Sequence, residues 1–247
     1  GSFTGKGLLH VATLHAVLGG RLPTDQVLSH DLLEGALARC AVVSDVTLVE
    51  AEPEHSDTAA SRLHRWTRGD WQLWPFLAHA RQWGLSPINR WKLTDNLRRS
   101  LVAPASLLVV LLAMAGLGLP LSTTLAVVLA AYAAAPLMGA LAGWVPSRWG
   151  LVGVRFVNEA SVDLLRALAS SVWHLAVLPQ QALLLGDAIV RTVPRQAVSR
   201  WHLLEWTTAE AAQSSLTSGL GATLRRHVAA PALALGCAAV LLAWGAP

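Results

Sequence analysis

From Leu101 to Ser147 the chain carries no Asp, Glu, Lys, Arg or His. A soluble core does not need such a run, whereas two apolar helices in hydrocarbon do. At about 1.5 Å rise per residue it is long enough to cross roughly 30 Å of bilayer interior twice. Pro120 and the Ser122, Thr123, Thr124 cluster divide it, which predicts a hairpin with spans near 102–119 and 125–145. A second charge-free stretch, Val228 to Pro247, follows Arg225, Arg226 and His227 and predicts a third span. With 53% of 247 residues hydrophobic and 14% charged, the composition is that of a membrane protein and excludes a disordered or collagenous chain. The two cysteines, Cys40 and Cys237, lie too far apart in sequence to suggest a metal cluster.

The net charge of +4 is unevenly placed. Arg90, Lys92, Arg98 and Arg99 precede the first span, and Arg148 and Arg155 follow the second, so the positive-inside bias puts both flanks in the cytoplasm. The expected organisation is a cytoplasmic part at 1–100, a transmembrane hairpin at 101–145, cytoplasmic or interfacial amphipathic helices at 146–227, and a third span at 228–247. In the third segment, Arg155, Glu159, Asp163 and Arg166 recur at spacings of four, four and three, which makes one charged stripe on a helix. Leu164, Leu165, Leu168 and Trp173 supply the apolar surface of a helix lying in the membrane interface. Residues 167–190 are left open as a further span, a poor one given His174, Pro179 and Asp187.

Three strings in the first 100 residues can carry chemistry: GSFTGKG at 1–7, SHDLLEG at 29–35 and RLHRWTRGDWQ at 62–72. The first is no P-loop, because Lys6 is followed by Gly7 rather than Ser or Thr. Asp31, with Glu34 three residues on, reads either as the N-cap of a helix whose face is Leu33, Ala36, Leu37 and Cys40, or as a carboxylate projecting into a cleft to take a proton from a hydroxyl. Arg62, Arg65 and Trp66 stand at i, i+3 and i+4, two guanidinium groups and an indole on one helical face. Arginine forks onto phosphate, and an indole offers a flat surface for a sugar ring. The same residues equally suit an aromatic and basic belt at the membrane surface. Aromatics placed beside a membrane span argue against nucleic acid as the partner.

In this order, a glycine-rich loop, an Asp about 30 residues before an Arg-x-x-Arg-Trp helix, and a span pair with interface helices resemble the membrane-embedded, processive, inverting glycosyltransferases. The nearer likeness is to the cyclic β-1,2-glucan synthases. It is carried by GSFTGKG, LSHDLLEG, RLHRWTRGDWQLWP and RWKLTDNLRRSLVAP, and more loosely by DAIVRT and SRWHLLEW. The resemblance implies Asp31 as the general base and Arg62, Arg65 and Trp66 as the substrate face, with Gly5, Lys6 and Gly7 in a loop near the transferred glucose. It implies UDP-glucose as donor, a growing β-1,2-glucan as acceptor, the bacterial inner (cytoplasmic) membrane as location, and a divalent metal, Mg or Mn, with ligands outside this chain. After GSFTGKG the family has an aromatic and acidic stretch, where this chain has Leu8, Leu9, His10, Val11 and Ala12.

The expected fold class is a mainly α membrane protein, in which a C-terminal remnant of an α/β, GT-A-like glycosyltransferase domain precedes transmembrane and interface helices. One strand is expected at Val46 to Glu50. The chain is expected to be a fragment, inactive alone, lacking the N-terminal half of the glycosyltransferase domain with its paired aspartates and a C-terminal phosphorylase-like domain. Two other functions are carried forward: a membrane glucosyltransferase of linear periplasmic glucan synthesis, and a non-catalytic membrane anchor.

Overall fold

The computed structural model describes residues 3, 7–23, 25–41, 43–49, 55–146, 153–205 and 220–243. Among them every regular element is helical: α1 (Val11–Leu18), α2 (Asp31–Leu37), α3 (Ser56–Gln72), α4 (Trp74–Ala78), α5 (Pro87–Met114), α6 (Leu121–Ala142), α7 (Val154–Ala176), α8 (Leu178–Pro194), a π-helical turn at Arg195–Ser199, α9 (Leu220–His227) and α10 (Ala229–Ala243). The chain divides into two compact units, Gly1–Val102 with Leu184–Ala222, and Ala103–Leu183 with Thr223–Pro247. The boundaries fall inside α5, α8 and α9.

The expected strand is not formed. Val46, Leu48 and Val49 lie in irregular chain and are 62%, 66% and 92% exposed, and Glu50 lies outside the described residues. A strand needs a partner to take its backbone hydrogen bonds, and among the described residues none is there to pair with. The α/β remnant is corrected accordingly: the described part of residues 1–60 is helix and loop.

The first unit is built on a small apolar core of Leu33, Leu73, Phe76, Ala80, Leu85 and Leu93, contributed by α2, the α3–α4 corner, the loop after it and α5. Phe76 meets Trp83 with ring centroids 4.6 Å apart. Leu33 is fully buried, and it arrives there because Leu32, Leu33, Ala36 and Leu37 repeat at helical spacing. α3 is different in kind, since its buried residues are Thr58, Thr67, Arg68, Gly69 and Gln72. A helix burying polar groups must supply each with a partner.

In the second unit α6 packs against α7. The buried residues of α6 are Thr124, Val128, Ala133 and Ala140, and those of α7 are Ala160, Ala167 and Ser171. Small side chains at the seam let two backbones approach closely, which is how helices associate where lipid is as apolar as leucine. The charged stripe of α7 pairs along the helix as its spacing predicts, Arg155 with Glu159 at 2.9 Å and Asp163 with Arg166 at 3.2 Å. These pairs are exposed and contribute little to stability.

Two helices, α5 and α6, are long and apolar enough to cross a membrane. α5 ends at Met114, short of the expected 119. Gly116 sits at φ +74° and the Leu117 N–H reaches back to the Leu112 carbonyl at 2.8 Å, a glycine-terminated helix end that a side chain at 116 would strain. α7 and the segment Leu178–Ser199 meet with a bend of 60° and together have the composition of a broken span or re-entrant loop. The third expected span is represented by α10, whose 15 residues rise about 22 Å, less than the roughly 30 Å of hydrocarbon. Residues 244–247 lie outside the described part.

Candidate functional site

The first unit contains a cavity of about 390 Å³ lined by residues of five segments. The approach to α2 supplies Ser29, Asp31 and Leu32, and α3 supplies Leu63, Trp66, Thr67 and Asp70. Asn96, Arg99 and Ser100 come from α5, Leu185 from α8, and Phe3 from the N-terminal glycine loop. Its size falls in the range of roughly 300–1,000 Å³ usual for small-molecule sites.

Asp31 is the first residue of α2 and not its cap. The residue before it, His30, holds the cap position without a side-chain cap bond, and its carbonyl accepts from the Leu33 and Glu34 N–H groups, each at 2.9 Å. The capping-box expectation is therefore corrected by one position. Asp31 is half-buried and faces the same cavity as the Trp66 indole, which is 47% exposed.

Two contacts hold the Asp31 segment against α3. The Leu28 N–H donates to Gln72 Oε1 at 2.7 Å, and Ser29 lies so close to Gly69 that a Cβ at that position would stand 2.7 Å from the Ser29 Cβ. Only glycine permits that approach. Gln72 is fully buried, and its other end donates to the Leu203 carbonyl at 2.8 Å. Arg68, 8% exposed, donates from the same helix to the carbonyls of Glu205 at 2.6 Å, His202 at 3.1 Å and Leu203 at 3.4 Å. Burial, and after it the charge of Arg195, lowers the Arg68 pKa from its ordinary value. The polar residues of RWTRGDWQ thus fasten α3 to two remote segments, 28–29 and 202–205.

The sequence-predicted substrate face is only partly at the cavity. Trp66 is in its wall, while Arg62 joins it indirectly, with its guanidinium 4.8 Å from the Trp66 ring centroid. Arg65 is half-buried on α3 and is not among the lining residues. The guanidinium that does line the cavity is Arg99, which sequence reasoning had used only for membrane orientation. Of the glycine loop, Gly5 and Lys6 lie outside the described residues. Gly7 is exposed, and the Phe3 ring passes 3.5 Å from where a Cβ on Gly7 would stand. Phe3 is the loop residue that reaches the cavity.

Asp70 and Asn96 were also missed. Asn96 Nδ2 donates to Asp70 Oδ1 at 3.1 Å, and Arg99 in turn donates to Asn96 Oδ1 while pairing with Asp95 at 3.2 Å. Burial raises the Asp70 pKa, against the lowering effects of the Asn96 bond and the Arg99 charge. The one available sequence signal was spacing, since Asp70 follows Trp66 by four residues and so shares its face.

His30, Asp31 and Glu34 bring ligand atoms within 4.8 Å of one another. They do not fit the implied divalent ion. His30 Nδ1 and Glu34 Oε1 already satisfy each other at 2.7 Å, and a cation on the Asp31 carboxylate would compete with the proton a base must accept.

No protein-family model matches the chain. Over 236 residues, 95% of its length, the chain is 40% identical to a protein of Rhizobium meliloti (strain 1021) named cyclic beta-(1,2)-glucan synthase NdvB. It spans about 8% of the length of that relative. The likeness noted from the short strings therefore extends along almost the whole chain.

Proposed function

We propose that this chain is a segment of a processive, inverting membrane glucosyltransferase that transfers glucose from UDP-glucose to a growing β-1,2-glucan. The observation that carries the reading is the meeting of Asp31 and Trp66 in one cavity, on a chain 40% identical to a protein named as a β-(1,2)-glucan synthase. Residues 1–100 and about 147–227 lie on the cytoplasmic side of the inner membrane in this reading, and the turn between α5 and α6 lies on the outer side.

Asp31 acts as general base. The acceptor hydroxyl oxygen attacks the anomeric carbon of the donor glucose, its proton passes to the Asp31 carboxylate, and the bond from that carbon to the diphosphate breaks with the electron pair leaving on UDP. Inversion follows from a single displacement. Trp66 presents the surface on which the acceptor sugar stacks, and Arg62 holds the indole by lying over it. Arg65, on the α3 face, lends positive potential to the departing diphosphate. Gly5, Lys6 and Gly7 approach the transferred glucose. A divalent ion, Mg or Mn, would be held by ligands outside this chain and would there offset the charge of the diphosphate.

In this account an N-terminal half of the glycosyltransferase domain in the complete protein would hold nucleotide and metal, a phosphorylase-like domain would be a further partner, and these 247 residues alone would be inactive. The experiment is Asp31→Asn in the complete glucan-synthesising protein, followed by UDP-glucose-dependent glucan formation. Loss of a base contributes about 10²–10⁴-fold, so synthesis should fall by that factor. Synthesis near the wild-type rate would remove Asp31 from the chemistry and favour the anchor.

A further inference from the structure

The cavity wall beyond Trp66 is built in a way that a general base and a stacking platform do not require. Asp70 stands one helical turn after Trp66 on α3, both line the cavity, and the carboxylate is held from behind. Its Oδ1 accepts the Asn96 amide at 3.1 Å, and Asn96 is itself held by Arg99, so two residues of α5 fix the angle of one carboxylate on α3. An ionisable group is costly to bury, and it is kept here beside an indole in a recess open to ligand.

That pairing matches the two faces of a hexopyranose. The C–H face of the ring lies on an indole, and equatorial hydroxyls at the ring edge donate to a carboxylate, which accepts only. The same carboxylate repels a diphosphate, which assigns this end of the cavity to the acceptor sugar and not to the nucleotide. We propose that Asp70 is a sugar-binding residue: Oδ2 accepts a hydrogen bond from a ring hydroxyl of the acceptor glucose stacked on Trp66, with Asn96 as the positioning residue that aims the carboxylate. The inference rests on the reading of the cavity as a glucosyl-transfer site and adds the subsite in which the acceptor is recognised.

The test uses the complete glucan-synthesising protein in lipid nanodiscs with a soluble β-1,2-gluco-oligosaccharide as probe. In the Asp31→Asn protein, which binds without turnover, titration calorimetry should show the oligosaccharide binding. Adding Asp70→Asn should weaken it about 5- to 30-fold, the range expected when a hydrogen bond to a charged acceptor becomes one to a neutral amide. With Asp31 intact, Asp70→Asn should raise the acceptor KM by a similar factor and leave the UDP-glucose KM within about twofold. Asn96→Ala should shift acceptor KM in the same direction by less. A merely structural Asp70 would alter both KM values or neither, and either pattern overturns the proposal, as does failure of the oligosaccharide to bind the Asp31→Asn protein. If Asp31→Asn itself retains wild-type synthesis, the glucosyl-transfer reading fails first. If Asp31→Asn is inactive while Asp70→Asn leaves acceptor binding unchanged, only the subsite is lost.

Discussion

The guanidinium of Arg62 lies over the indole of Trp66, 4.8 Å from the ring centroid and one helical turn before it. The indole is in the cavity wall and the arginine is not, so the cation acts on the site by fixing a ring. Such a contact is worth about 0.5–1 kcal/mol at an exposed position. Arg62→Met should therefore lower glucan synthesis about 2- to 5-fold, Arg62→Lys less, and Trp66→Ala more than either. A double-mutant cycle on initial rates checks this: a coupling near zero between positions 62 and 66 would show that the stack does not serve the reaction.

Gly69 has a different task. A methyl group there would stand 2.7 Å from the Ser29 Cβ, and Ser29 is two residues from Asp31. Gly69→Ala is expected to cost about 1–3 kcal/mol by overpacking and to push the Asp31 segment away from Trp66. Synthesis should fall well beyond what the reduced amount of folded protein explains. Specific activity per folded molecule, from thermal melts and rates on the same sample, is the measurement.

Arg68 is a structural cation. Replacing it by Met takes the Arg68 donor from the Glu205 carbonyl, while the His202 carbonyl keeps Arg195 at 3.1 Å and the Leu203 carbonyl keeps Gln72 at 2.8 Å. Hydrogen bonds to charged groups contribute about 1.5–3 kcal/mol each when made, and an abandoned buried acceptor costs about 1–3 kcal/mol. Arg68→Met should thus destabilise the first unit by several kcal/mol, on the order of 3. Because Gln72 shares the Leu203 carbonyl, either donor alone still satisfies it, and the effects of Arg68→Met and Gln72→Leu should be more than additive. Limited proteolysis near residues 202–205 would report the release of that segment.

Asp70 links the site to pH. Burial raises its pKa in the folded protein, so its contribution to stability is fully present below the unfolded pKa of about 3.9 and is lost as pH rises through the folded value. Above the folded value the protein bears the cost of an ionised, half-buried carboxylate. Asp70→Asn keeps an oxygen for the Asn96 amide and removes the charge. Its melting temperature should exceed that of the parent at pH 7, with the difference shrinking towards pH 4. Equal melting temperatures across that window would show that the carboxylate bears no burial cost.

Much of the helical framework is legible in the sequence, because a helix is written in local spacing. The charge-free run from Leu101 becomes the apolar part of α5 and all of α6, the Arg155 to Arg166 stripe pairs on α7 at its three- and four-residue intervals, and Arg62 meets Trp66 at i+4. The strand at Val46 fails for the opposite reason. Alternation marks one edge of a ladder, and pairing depends on a partner elsewhere.

By itself, then, the order of residues determined where the helices lie, which of them are apolar enough for a bilayer, and which side chains share a face. Only the tertiary structure decided that Asp31 and Trp66 line one cavity, that Arg99 rather than Arg65 is in its wall, that Asp70 and Asn96 are part of it, and that Arg68, Gly69 and Gln72 hold α3 to segments far away in sequence. The physical reason is the range of the forces involved. A helical turn closes over four residues, while the cavity exists only after residues near 30, 70, 100 and 185 have come together, and close packing then settles which of their side chains face the space between them.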